Sequence, residues 1–255
     1  MLQFVEKLDR TTHSYTVDYK RRFNAIDRKV RNHIRVDDPC VLMSSYEKAL
    51  LLAVTRYIDA QTTWKPFNNI PWKIGKSEHN LENNLPHTHG DVILMPNHFK
   101  KQPFDVLART LFHEKVHIYQ RMYPLETVKL FTHYWGLRLV GYEAVTQPNS
   151  RTNPDSNRLR FELYNHRVRS MGHYEATFVD APRQLTDIAY VFHESASKVA
   201  MDETYFKLVH TFHINQYEHP NETMACLFTL IVFDKVHHAP TLNWINTHLK
   251  QRRMH

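Results

Sequence analysis

Phe104-Asp-Val-Leu-Ala-Arg-Thr-Leu-Phe-His113-Glu114-Lys115-Val116-His117-Ile-Tyr-Gln-Arg-Met122 is the stretch from which the fold can be read. Pro103 stands where a proline can open a helix and Pro124 where one closes it, since proline has no amide to give to a helix interior. Apolar Leu111, Phe112, Val116, Ile118 and Tyr119 flank the polar residues. In a helix, residues four apart lie one turn apart on one face, so the imidazoles of His113 and His117 can reach a common ion. Glu114 is rotated about 100° from His113, which suits a base acting on water held by that ion. The plainer alternative is that both histidines are polar residues on an ordinary helix face.

Working outward, residues 62–96 hold tryptophans, prolines and short apolar runs, Trp72-Lys-Ile74 and Asp91-Val-Ile-Leu-Met95, which predict a small sheet. Val92–Met95 leads into the helix after Asn84-Leu-Pro-His-Thr-His-Gly90. As an edge strand it could take an extended peptide as an added strand, with Val92 and Leu94 as candidate substrate-binding residues. As a strand with a covered edge it would not. Residues 2–60 read as mainly helical. Val5, Leu8, Tyr15, Tyr19, Phe23, Ile26, Val30 and Ile34 recur at three- and four-residue steps. Asp38-Pro39 interrupts them, and Ser44-Ser45 with Glu47 offers a new helix start.

Past the central helix, residues 125–134 predict further helix, and 147–157 are dense in turn formers. Strands are expected at 159–164 and 174–179, and helices around 186–212, 220–234 and 241–252. Helices dominate, so the expected class is α+β, mostly helical with a small sheet. The 255 residues suit one domain. Residues 1–123 would form a subdomain with the edge strand and the His113–His117 helix, 124–255 a second, and the active-site cleft would lie between them.

Composition limits the function. Apolar residues are 42% and charged residues 23%, ordinary for a globular chain. Five glycines argue against a glycine-rich phosphate loop, and two cysteines against a disulfide framework. No apolar run reaches membrane-spanning length and the first residues carry no secretory signal, so a soluble, intracellular protein is expected. The net charge is +7, but the basic residues are scattered, as in Lys20-Arg-Arg22 and Arg252-Arg253. A solvated face is favoured over a nucleic-acid groove, which stays a possible partner site.

Zinc is the expected ion, because imidazole suits it and two histidines with one carboxylate leave a fourth position for water. Glu222 is a candidate carboxylate. It falls in the first turn of an apolar helix after His219-Pro220, where the helix dipole favours negative charge. The same position suits a plain capping group. His193-Glu194 is a rival, and His87, His89, His133, His213 and His219 are lesser ones. Tyr217 and His219, just before Glu222, and Tyr190 are candidate donors to an oxyanion. Thr152-Asn-Pro-Asp155 could line a pocket, although a plain turn is the simpler assignment.

His113-Glu-Lys-Val-His117 followed by Asn221-Glu222-Thr223-Met224-Ala225 resembles the zincin metallopeptidases, and among them the glutamate-ligand group, the gluzincins. The resemblance is carried by these short motifs and the strand-before-helix order. It implies a zincin-like fold, His113, His117 and Glu222 as zinc ligands, Glu114 as general base, and hydrolysis of a peptide or protein substrate. Cys226 stands where that group often has an aspartate supporting a zinc histidine. Gln120 and Tyr123 exclude the longer metzincin motif. The alternative is a catalytically inactive zincin-fold protein that binds partners through its basic surface.

Overall fold

Trp72 to Ser77 is the strand around which the first half of the chain is organised. The computed structural model describes residues 1–6, 24–31, 40–77, 81–142, 148–153, 155, 159–165, 167–196, 202–215 and 219–250. In chain order, the first half contains β1 (Leu2–Val5), α1 (Ala25–Val30), β2 (Cys40–Val41), α2 (Ser45–Gln61) and α3 (Lys65–Asn68). It continues with β3 (Trp72–Ser77), β4 (His87–His89), β5 (Val92–Met95) and α4 (Phe104–Met122). The second half adds α5 (Pro124–Lys129), β6 (Arg138–Tyr142), β7 (Leu159–Asn165), β8 (Ser170–Phe178) and β9 (Ile188–Glu194). It ends with α6 (Thr204–Thr211), α7 (Pro220–Phe233) and α8 (Ala239–His248).

The class is α+β with two small sheets. In the first the order is β1-β3-β5-β4, with β2 paired to the end of β3. β1 and β5 run parallel to β3, whereas β4 is antiparallel to β5. The second sheet is an antiparallel meander, β6-β7-β8-β9. Helices α2, α4 and α7 pack in sequence, α2 on α4 and α4 on α7. One cluster of buried apolar side chains extends from Met43 to Leu249 and so spans both halves.

Local chemistry accounts for the helix ends. The Ser44 amide donates to Glu47 Oε2 at 2.7 Å and the Glu47 amide donates to Ser44 Oγ at 3.2 Å, a reciprocal cap that starts α2 as expected. Burial alone would push the Glu47 carboxyl up. Bonds from the Ser44 amide, Lys76 and Lys100 outweigh it and hold the group at about 2. α4 occupies the span expected of it and buries Leu107, Leu111, Phe112, Val116, Ile118 and Tyr119. Each large apolar side chain so buried contributes about 1.5–3 kcal/mol, which fixes the rotation of the helix and thereby the direction of its histidines.

Several expectations need correction. Leu2–Val5 is a strand, because Leu2 to Val5 pair in register with Trp72 to Gly75 and that partnership overrides the helical spacing. Leu8, Tyr15, Tyr19, Phe23, Ile34, Lys20-Arg-Arg22 and Arg252-Arg253 fall outside the described residues. Ile188–Glu194 is also a strand, its half-buried and exposed residues alternating from Ile188 to Phe192 against β8. Strand β6 was not expected from the residues. Finally, Val92–Met95 is not an edge strand. It lies between β3 and β4, and Val92 and Leu94 are buried with Val5 and Cys40, so neither can bind substrate as expected. The edge belongs to β4. Among the described residues no helix is long and apolar enough to cross a membrane.

Candidate metal centre

The packing of α4 against α7 brings the two motifs together. His117 Nε2 lies 3.1 Å from His113 Nε2, and Glu222 Oε2 lies 3.4 Å from the former ring's neighbour, His113, and 3.5 Å from His117. These three atoms form a nearly equilateral triangle. A tetrahedral zinc ion with bonds of about 2.0–2.1 Å would hold its ligand atoms roughly 3.3 Å apart, so the donor set fits such an ion. His113, His117, Glu114 and Glu222 all line a cavity of about 650 Å³. Its wall draws on both halves of the chain.

Each donor is aimed by a neighbour. His117 Nδ1 is 3.0 Å from Gln120 Oε1, an acceptor, so Nδ1 carries the hydrogen and Nε2 keeps its lone pair. Gln120 is fixed in turn, donating through Nε2 to the Asn221 carbonyl at 2.8 Å. Cys226, one turn beyond Glu222 on α7, hydrogen-bonds to His113 and lines the cavity. A thiol thus occupies the supporting place where the resemblance led one to look for an aspartate. Asn153 Nδ2 donates to Glu222 Oε1 at 2.8 Å.

The electrostatics are those of a site suited to positive charge. Burial would raise the Glu222 carboxyl, but the two imidazoles hold it well below the usual carboxylate range. Burial would likewise lower His113, yet Cys226 and Glu222 outweigh it and hold the ring well above the usual imidazole range. His117 is also raised, the charges of Glu222 and Asp155 prevailing over burial. A divalent cation can take the place of those protons. Glu114 behaves differently. Burial, reinforced by the nearby Asp155 charge, pushes it up to about 7. Its Oε2 is buried and finds no hydrogen-bond partner among the described residues.

Of the rim, the sequence pointed only to the 152–155 loop. Asp155 Oδ1 accepts from the Thr88 amide at 3.1 Å, from the Thr88 hydroxyl, and from Arg121 at 3.2 Å. Arg121 also donates to Thr88 Oγ1 and to the Gly90 carbonyl. The outward amide of edge strand β4 is therefore already engaged by protein. Thr152, Asn153 and Asp155 line the cavity, so the loop is more than the plain turn assigned to it. Arg121 stands one turn past His117, a position that could have marked it. Asn153 and Asp155 were marked only as part of a loop that could line a pocket, and their partners on Glu222, Thr88 and Asn221, 66 to 69 residues away in sequence, were not.

The remaining candidates are dispersed. His219 is not an oxyanion donor: Nδ1 accepts from the Asn221 amide as the α7 cap, and Nε2 bonds to the Leu159 carbonyl. Tyr217 lies outside the described residues. His193 pairs with Glu175 on the second sheet and stacks on His173. His133 is exposed. His87 and His213 do line the cavity. His87 donates through Nδ1 to the Leu85 carbonyl, and its Nε2 meets no partner among the described residues. No family model matches the chain, and no curated protein or solved structure matches it.

Proposed function

We propose that this chain is a zinc-dependent metallopeptidase of zincin type, with His113, His117 and Glu222 as zinc ligands and Glu114 as general base. The observation that carries the proposal is the triangle of two Nε2 atoms and one carboxylate oxygen, with sides of 3.1, 3.4 and 3.5 Å. It opens on a cavity that also holds an ionisable group poised near neutrality. Three protein ligands with a free fourth position is the arrangement of catalytic rather than structural zinc.

Bound there, zinc would supply Lewis acidity toward a carbonyl and make water at the open position more acidic. The protein's own residues do the rest. Glu114 takes the proton of the attacking water on its unengaged oxygen and returns it to the leaving amine nitrogen. A carboxyl with an affinity for protons near pH 7 can do both. Gln120 and Cys226 hold the two rings in place. Asp155 and Arg121 tie the rim strand to α4, which keeps the cavity wall in register with the base.

Metal analysis of protein purified without chelators should give one zinc per chain, and the protein should cleave members of a mixed peptide library. Glu114→Gln should retain the metal and lose cleavage. Full activity in that variant would sink the mechanism. Zinc-loaded wild-type protein that cleaves no peptide would favour the inactive, partner-binding alternative.

A further inference from the structure

We infer that Asn153 is a positioning residue that holds Glu222 to coordination through one oxygen and so keeps the metal at four ligands, three from the protein and one from solvent. The inference rests on the metal centre proposed above and adds a role for a residue outside both motifs. Glu222 turns Oε2 toward both imidazoles, at 3.4 and 3.5 Å, while Oε1 accepts from Asn153 Nδ2 at 2.8 Å. A carboxylate left alone beside a divalent cation can close on it with both oxygens. Here one oxygen is already engaged.

The direction of the Asn153 amide is fixed as well. Its Oδ1 accepts from the Asp155 amide at 2.9 Å, so the end facing Glu222 is the NH2 donor. The loop that carries it is tied at both ends. On one side the Thr152 amide donates to Asp27 Oδ2 at 3.0 Å and the Thr152 carbonyl accepts from Arg31. On the other, Asp155 is held by Thr88 and Arg121, and its carbonyl accepts from Asn221 Nδ2 at 3.2 Å. Asn221 precedes Glu222 on α7, so the loop is locked to the helix turn that carries the ligand. Partners that aim a metal ligand in this way commonly change metal affinity or activity about 10–100-fold when removed.

The test uses the full chain loaded with Co2+ in place of zinc, because cobalt reports its coordination number in visible absorption, strongest for four ligands. Asn153→Ala removes the donor. Asn153→Ser also removes it, being too short to reach Glu222, but keeps an oxygen to accept the Asp155 amide. Both variants are first checked to unfold, metal-free, at the wild-type temperature. The expected result is intense four-coordinate absorption in wild type and weaker, five-coordinate absorption in both variants. Wild-type spectra in the variants, or weak absorption already in wild type, would overturn the role of Asn153. Wild-type protein that takes up no Co2+ would overturn the metal centre itself, a different and separately visible failure.

Discussion

Glu114 and Lys115 are consecutive, both buried and both ionisable, and about 100° of helix rotation sends the first to the cavity and the second to Trp72 and Phe67. Lys115 Nζ sits 4.1 Å from the Trp72 ring centre and 4.9 Å from that of Phe67, with Asp59 Oδ1 at 3.4 Å. Burial pushes the lysine down to about 8, but two aromatic faces and a carboxylate answer its charge. Glu114 has an oxygen that nothing among the described residues answers, beside a second carboxylate, on the wall of a cavity. The first arrangement stabilises packing. The second gains nothing for stability and suits the proton exchange proposed for Glu114. Burial of a charge is common to both residues; an unengaged oxygen on the cavity wall is what sets Glu114 apart from Lys115.

The comparison can be broken most sharply at Glu114. Glu114→Gln keeps the shape and should slow peptide hydrolysis by about 10²–10⁴-fold, measured as kcat with zinc content unchanged. In wild type the acid limb of the rate should fall no higher than about pH 7, since a bound cation can only lower the value set by burial. Next in size, stripping the metal with a chelator should reduce stability by about 2.7 kcal/mol when free zinc had stood 100-fold above its dissociation constant. Thermal unfolding with and without chelator reads this directly. Gln120→Ala should weaken zinc binding by about 10–100-fold, measured by competition with a chromogenic chelator.

Smallest is the effect on the other face. Lys115→Met should change stability by no more than about 1 kcal/mol and leave zinc affinity alone, because it removes a desolvated charge along with its ring contacts. Its signature lies in pH. The folded protein sheds this proton near 8 and the unfolded chain near 10.5, so wild-type stability should rise between those values and the variant's should not. A large loss of metal binding in Lys115→Met would erase the distinction between the two faces.

How much of this was legible in the residues follows from the range of the interactions involved. The span of α4 and the Ser44–Glu47 start of α2 depend on neighbours within a turn or two, and the sequence carries them. The convergence of His113, His117 and Glu222 was expected from a motif resemblance, and the helix packing brings the three together. Strand identity was less accessible. Leu2–Val5 and Ile188–Glu194 are strands because of partners elsewhere, Trp72 to Gly75 and β8. His219 shows the limit most clearly. Its position beside Glu222 suggested chemistry, but a carbonyl 60 residues away takes its Nε2. The loop with Asn153 and Asp155 could be read as a pocket wall, but not what it holds there, since that depends on a meeting of three separate elements.

The three groups of the proposed centre lie far apart along the polypeptide: two imidazoles by residue 117 and the carboxylate only at 222. A growing chain therefore has Glu114 and two of the three corners of the triangle long before the third is made. Any fragment ending ahead of Pro220, whether from stalled synthesis or from a protease, keeps the histidines yet lacks the third corner. The triangle can close only once the segment that carries Glu222 has been made.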